Sequence, residues 1–90
     1  MTRKIVEKVL RYNAIFEPAE EGGFVVTVPK LPGLVTEGDT FEEAMERVVD
    51  AIEGYLKILQ EQKEEIPDPD DKSITTLIDV ALPKHKFAQT

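Results

Sequence analysis

Gly22–Ala44, GGFVVTVPKLPGLVTEGDTFEEA, is the stretch on which the fold turns. Phe24 to Val28 is an unbroken run of aromatic and β-branched residues, which suits a strand. The two glycines before it permit positive φ, so the chain can turn tightly into that strand. Pro29 and Pro32 end the run and Gly33 closes a tight turn. Leu34 to Glu37 then makes a third short strand, placed at a sheet edge by the prolines before it. Gly38 and Asp39 turn the chain once more. Thr40 is a natural N-cap, and Glu43 three residues later completes a capping box. Catalytic loops are commonly punctuated by Ser, His, Cys or clustered acids. Here the punctuation is Pro, Gly and Thr, and the block reads as scaffold.

Working outward from this block, the helix opened by Thr40 carries Phe41, Ala44, Met45, Val48, Ile52, Tyr55, Leu56 and Leu59 at helical spacing. Glu42, Glu46, Arg47, Asp50, Glu53, Lys57 and Glu61 occupy the opposite face. Gly54 costs about 1 kcal/mol relative to Ala in a helix interior. Pro67 and Pro69 forbid continuation, so the helix ends near Gln62 or Lys63. Upstream, Tyr12, Ala14 and Phe16 alternate with Asn13, Ile15 and Glu17, the pattern of a half-buried strand. It is joined to Phe24–Val28 by the short turn Pro18–Gly23, which makes the pair an antiparallel hairpin. Ile5, Val6, Val9 and Leu10 suit a short N-terminal amphipathic helix. Downstream, Ile66–Lys72 reads as a solvated acidic connector. Ile74, Thr76, Ile78, Val80 and Leu82 alternate with Thr75, Leu77, Asp79 and Ala81, which predicts a last strand ended by Pro83. Residues 83–90 read as a loose tail. The whole is one α+β domain over residues 1–90, a small and mostly antiparallel sheet with the long helix on one face.

Composition narrows the function classes. Ninety residues, 41% of them hydrophobic, suffice for one small core. No apolar run approaches the roughly 20 residues of a membrane span, and the basic N-terminus lacks the apolar stretch of a signal peptide. A cytoplasmic location is the resulting expectation. The absence of cysteine excludes disulfides, thiolate chemistry and cysteine-ligated zinc. Eighteen acids against eleven bases give a net charge of −7, which repels phosphate backbones and attracts basic proteins.

The candidate chemical groups do not assemble into a site. Two-metal hydrolysis needs acids converging from strand centres, and nothing in the sequence makes the strand acids Glu17 and Asp79 converge. Asp68, Asp70 and Asp71 lack the glycine and distant Glu of a calcium loop and stand between stiffening prolines. Gly22 and Gly23 precede a strand, not a helix N-terminus that could cradle phosphate. Ser73 has no base near it in sequence, and the single His85 lies in the tail. No catalytic, cofactor or metal residue is expected.

The strand–turn–strand YNAIFEPAEEGGFVVTVPKLPGLVTEGDTFEEA, with the long helix and the IPDP loop after it, resembles the HicB-type antitoxins over Tyr12 to about Pro69. The resemblance implies a partial ribonuclease H-like fold and the antitoxin role in a type II toxin–antitoxin pair. The implied partner is a HicA-type toxin, a small basic ribonuclease that cleaves messenger RNA, neutralised when its active surface is covered. A −7 chain is electrostatically complementary to such a partner. Longer family members carry a C-terminal helix-turn-helix or ribbon-helix-helix domain that binds the operator. The eight residues after Leu82 are too few for either, so no direct nucleic-acid contact is expected. The expected partner surface combines Glu46, Asp50 and Glu53 on the helix with Leu31 and Leu34 projecting from the proline loop. A homo-oligomer, dimer or tetramer, is expected in any case, because a short edge strand and a long apolar stripe exceed the needs of one small sheet. The alternatives are a stand-alone homo-oligomeric domain with a regulatory role and a degenerate ribonuclease H-like hydrolase.

Overall fold

A computed structural model describes residues 9–83. Strands β1 (Ile15–Pro18), β2 (Phe24–Thr27) and β3 (Val35–Gly38) form an antiparallel sheet in the order β1-β2-β3. Helix α1 (Phe41–Glu61) follows. The hairpin register pairs Ile15 with Thr27 and Pro18 with Phe24. β2 and β3 pair from Phe24 opposite Gly38 to Thr27 opposite Val35. The glycine turn works as the sequence requires. Gly22 and Gly23 both take positive φ, and the turn is tied by Gly22 N donating to Ala19 O and Ala19 N to Gly23 O, each 3.0 Å.

The β2–β3 connection folds inward. Leu31 N donates to Val28 O at 2.9 Å and Leu34 N to Leu31 O at 3.1 Å, with Gly33 at φ 87° between them. These two successive turns roll both leucines under the helix. The core consists of Val26, Val28, Leu31, Leu34, Ala44 and Val48, with Phe16, Phe24, Ile52, Tyr55 and Leu56 partly buried around it. Tyr55 closes the loop from above, its hydroxyl donating to Pro32 O at 3.0 Å.

α1 is capped as its sequence predicts. Glu43 N donates to Thr40 Oγ1 at 3.1 Å, while the Glu43 carboxylate accepts from Asp39 N, one residue before the cap, at 3.0 Å. Its end is a left-handed Lys63 (φ 58°), with Glu64 N donating to Leu59 O. The predicted apolar stripe holds except at Phe41 and Met45, both exposed. Met45 faces outward, while Phe41 is anchored by tilted and edge-on contacts with Phe16 (4.8 Å) and Phe24 (6.0 Å).

Three other expectations are corrected. β1 starts at Ile15, three residues later than Tyr12, because the preceding backbone is engaged with the loop after the helix. Asp70 N donates to Arg11 O, and Asn13 N to Asp70 Oδ2 at 2.9 Å. That loop is accordingly no solvated connector: the Asp70 side chain is only 8% exposed. The last strand does not form either. Residues 74–82 run extended and unpaired, with Ile74 at 92% and Leu77 at 95% exposure. Without a neighbour on which to lay its hydrogen bonds, a period-two pattern cannot become a strand. The expected N-terminal helix falls on residues that lie, up to Lys8, outside the described ones, and Val9 and Leu10 are not helical.

Candidate functional site

α1 is about 31 Å long at 1.5 Å per residue, whereas a four-residue strand spans only about 13 Å. It therefore overhangs the sheet, and it lies chiefly over β3 and β2. Two surfaces result. On the outward face Glu46 and Asp50 flank the exposed Met45 and Val49 in a shallow depression, with the exposed Glu53 one turn further along. Arg47 is turned back onto Glu43 at 3.5 Å in an i,i+4 pair. Among the described residues, Glu46, Asp50 and Glu53 have no basic partner within ion-pair distance. The face is thus acidic with a small apolar centre, a combination suited to a basic protein that can also bury side chains.

The second surface is an open groove of about 780 Å³ beside the overhang. Val49, Ile52 and Leu56 form its helical wall, Leu10 and Tyr12 the opposite wall, and Asp70, Asp71 and Ser73 its rim. Its base is fixed by the Tyr12 hydroxyl, which donates to Pro67 O at 2.6 Å. Lys30 approaches Asp70 at 4.0 Å from the proline loop. Burial, with Asp68 and Asp70 nearby, raises the Tyr12 phenol above its ordinary range. A raised folded-state value means that the native state holds the phenolic proton more tightly. The stability this confers is full below the ordinary phenol value of about 10 and is lost as pH rises through the folded one. In thermal melts, wild type is expected to lose more stability than Tyr12→Phe above pH about 10, and at neutral pH Tyr12→Phe should cost about 1 kcal/mol. Equal alkaline losses would dissociate Tyr12 from this joint.

The structure separates the residues expected to form the partner surface. Glu46, Asp50 and Glu53 share the exposed side of α1. Leu31 (0% exposed) and Leu34 (7%) are core residues, which corrects the expectation that they project outward. The paired turns after Val28 point both side chains at Ala44 and Val48, where burial is worth more than exposure at a loop tip. Sequence reasoning missed Val49, which it assigned to neither face, and Asp70, which it left in solvent. The proline on each side of Asp68 hints at a fixed loop, but nothing in the spacing tells which acid turns inward. Glu17 is exposed on β1 and Asp79 on the extended arm, and among the described residues no three His, Cys, Asp or Glu side chains group closely enough to hold a metal ion. No helix in the described residues is long and apolar enough to cross a membrane.

The geometry is that of a small α+β domain whose candidate site is an exposed acidic helix face, not a cleft of reactive groups. The chain belongs to the HicB-like antitoxins of bacterial toxin–antitoxin systems, whose family model matches residues 12–86. It is 40% identical over 68 residues to Antitoxin HicB 1 of Photorhabdus laumondii, covering 76% of this chain and 44% of that protein. Antitoxin HicB of Escherichia coli K12 is 38% identical over 60 residues, 67% of this chain and 44% of the relative. The chain thus spans less than half the length of these two antitoxins. A UPF0150 protein of Thermoplasma acidophilum is 38% identical over 66 residues, 73% of this chain and 96% of its own length.

Proposed function

We propose that this chain neutralises a HicA-type, messenger-RNA-cleaving toxin by covering the toxin's active surface, and that it has no catalytic activity of its own. The observation that carries the reading is the acidic face of α1, Glu46, Asp50 and Glu53 around Met45 and Val49, without a basic partner among the described residues, on a chain of net charge −7 in an antitoxin family. A ribonuclease must be basic to hold phosphates, and an acidic surface with an apolar centre competes for the same groups. We read the β1-β2-β3-α1 order as a partial ribonuclease H-like scaffold, the location as cytoplasmic, and the working form as an assembly of more than one copy.

The test is co-expression with a basic open reading frame from the neighbouring gene. Wild type is expected to restore growth and co-purify with the toxin. Combined Glu46→Lys, Asp50→Lys and Glu53→Lys substitutions should weaken the complex roughly 100-fold or more, since like charges would then face each other. A folded triple variant that binds and rescues as well as wild type would remove the helix face from the interface. Continued lethality in the presence of wild type, with no complex, would remove the antitoxin reading.

One observation favours a second reading, a stand-alone domain of regulatory role. The match to the Thermoplasma protein covers 96% of that relative, which shows that the domain can make up nearly a whole chain. The absence of any basic neighbouring gene would favour it.

A further inference from the structure

We propose that residues 74–82 are an exchange arm: in a pair of copies, each arm adds as a fourth strand to the outer edge of the other copy's β1 and lays its apolar side chains into the groove beside that copy's helix. The proposal rests on the self-association named above and specifies its geometry.

The arm has the composition of a strand and none of the marks of a disordered tail. Ile74, Thr75, Thr76, Ile78 and Val80 are β-branched, and Asp79 is the one charged residue between Ser73 and Pro83. Ile74, Leu77, Ile78, Val80 and Leu82 are all exposed, a run of apolar surface that marks a contact site. Its root is held. The Tyr12–Pro67, Arg11–Asp70 and Asn13–Asp70 hydrogen bonds fix the proline-stiffened loop beside β1, and Asn13 Nδ2 donates to Thr75 Oγ1 at 3.2 Å. From this anchored point the arm runs away from its own body.

The matching vacancy lies on the same chain. β1 is an edge strand, and among the described residues nothing pairs with its outer side. An unpaired edge is a template for a further strand. The groove next to that edge is walled by Ile52, Leu56 and Tyr12, where the inward-facing residues of a fourth strand would sit. An arm with Ile74, Ile78, Val80 and Leu82 on one face offers the side chains to fill it. Because edge and arm belong to one chain, a two-fold pair satisfies both at once and closes. The arm's near neutrality favours a second copy over a basic partner, for which the helix face carries the charge.

The isolated 90-residue chain tests this without any toxin, so its failure would leave the antitoxin reading untouched. Light scattering should give twice the chain mass for wild type. Ile78→Pro should halve it with helical circular dichroism unchanged, since the exposed arm contributes nothing to the core. Hydrogen exchange should show the β1 amides that point away from β2 protected in wild type and unprotected in Ile78→Pro. Combined Ile78→Asp and Val80→Asp substitutions, which leave the arm's backbone donors in place, should also yield monomer. A monomeric wild type, a dimer that survives Ile78→Pro, or β1 amides that exchange freely in the dimer would each overturn the proposal.

Discussion

Gly38→Ala is expected to cost about 3 kcal/mol or more, the upper end of what overpacking a core costs. Gly38 is the last residue of β3 and is buried where the strand passes under the start of α1. A Cβ there would run into the backbone of Ala44, lying 2.7 Å from its Cα and closer still to its nitrogen, and 2.9 Å from the Glu43 carbonyl carbon. No rotamer change relieves this, since the obstacles are backbone atoms held by the Thr40 cap. Either the first helical turn lifts off β3 or the strand withdraws from the helix, and both routes open the contact on which the core depends. A 90-residue domain has only about 5–13 kcal/mol of stability to lose. Gly54→Ala provides the opposite sign. Gly54 is helical and exposed, with no atom within 4 Å of an added Cβ, so alanine there should stabilise by about 0.5–1 kcal/mol. Urea denaturation of the two variants checks both. Equal midpoints would mean that the close approach of β3 and α1 does not limit stability.

Gly38 also shows how far the sequence could be read. That a glycine ends the third strand before a capped helix is legible, because Gly-Asp-Thr is a turn and N-cap pattern. That the position excludes every other residue is not legible, because the constraint comes from a helix backbone arriving across the strand. The same division runs through the fold. The hairpin, β3 and α1 rest on local signals, periodicity, turn residues and caps, and they lie within a few residues of where those signals put them. Residues 74–82 carry an equally clear alternating pattern, but strand formation needs a neighbouring edge, and pattern says nothing about which edge is available. Asp70 is a further case: its inward turn follows from the Arg11 carbonyl that accepts its N–H and from the Asn13 N–H and Lys30 ammonium that face its carboxylate, all far away in sequence. For the candidate site, the acidic helix face follows from helical spacing alone. The orientation of the proline loop does not, since outward and inward leucines have the same sequence.

Leu31→Ala separates those two orientations. With Leu31 buried completely against a small core, truncation removes its contacts and leaves a cavity, and the expected loss is about 2–5 kcal/mol. The upper part of that range is expected because the loop is poorly able to collapse into the space. Leu31 N is tied to Val28 O, Leu34 N to Leu31 O, and Tyr55 holds Pro32 from the helix side. Pro32→Ala, at an exposed position in the same loop, keeps the carbonyl that Tyr55 uses and should cost under about 1 kcal/mol. The comparison bears on function as well as stability. A leucine that served a partner would lose complex formation on truncation while the free chain kept its urea midpoint. A core leucine shows the reverse order, in which the midpoint falls first and partner binding declines only as far as the folded fraction does. Measuring both on Leu31→Ala therefore determines whether the Pro-Lys-Leu-Pro-Gly loop acts by contact or by supporting the helix. If the midpoint stays at the wild-type value, the loop is a contact surface and the inward-rolled loop is not the working state. If the midpoint falls by the expected amount, the loop's contribution is to brace α1 from below, and the acidic face above it keeps its geometry because Leu31 fills the space beneath Ala44 and Val48.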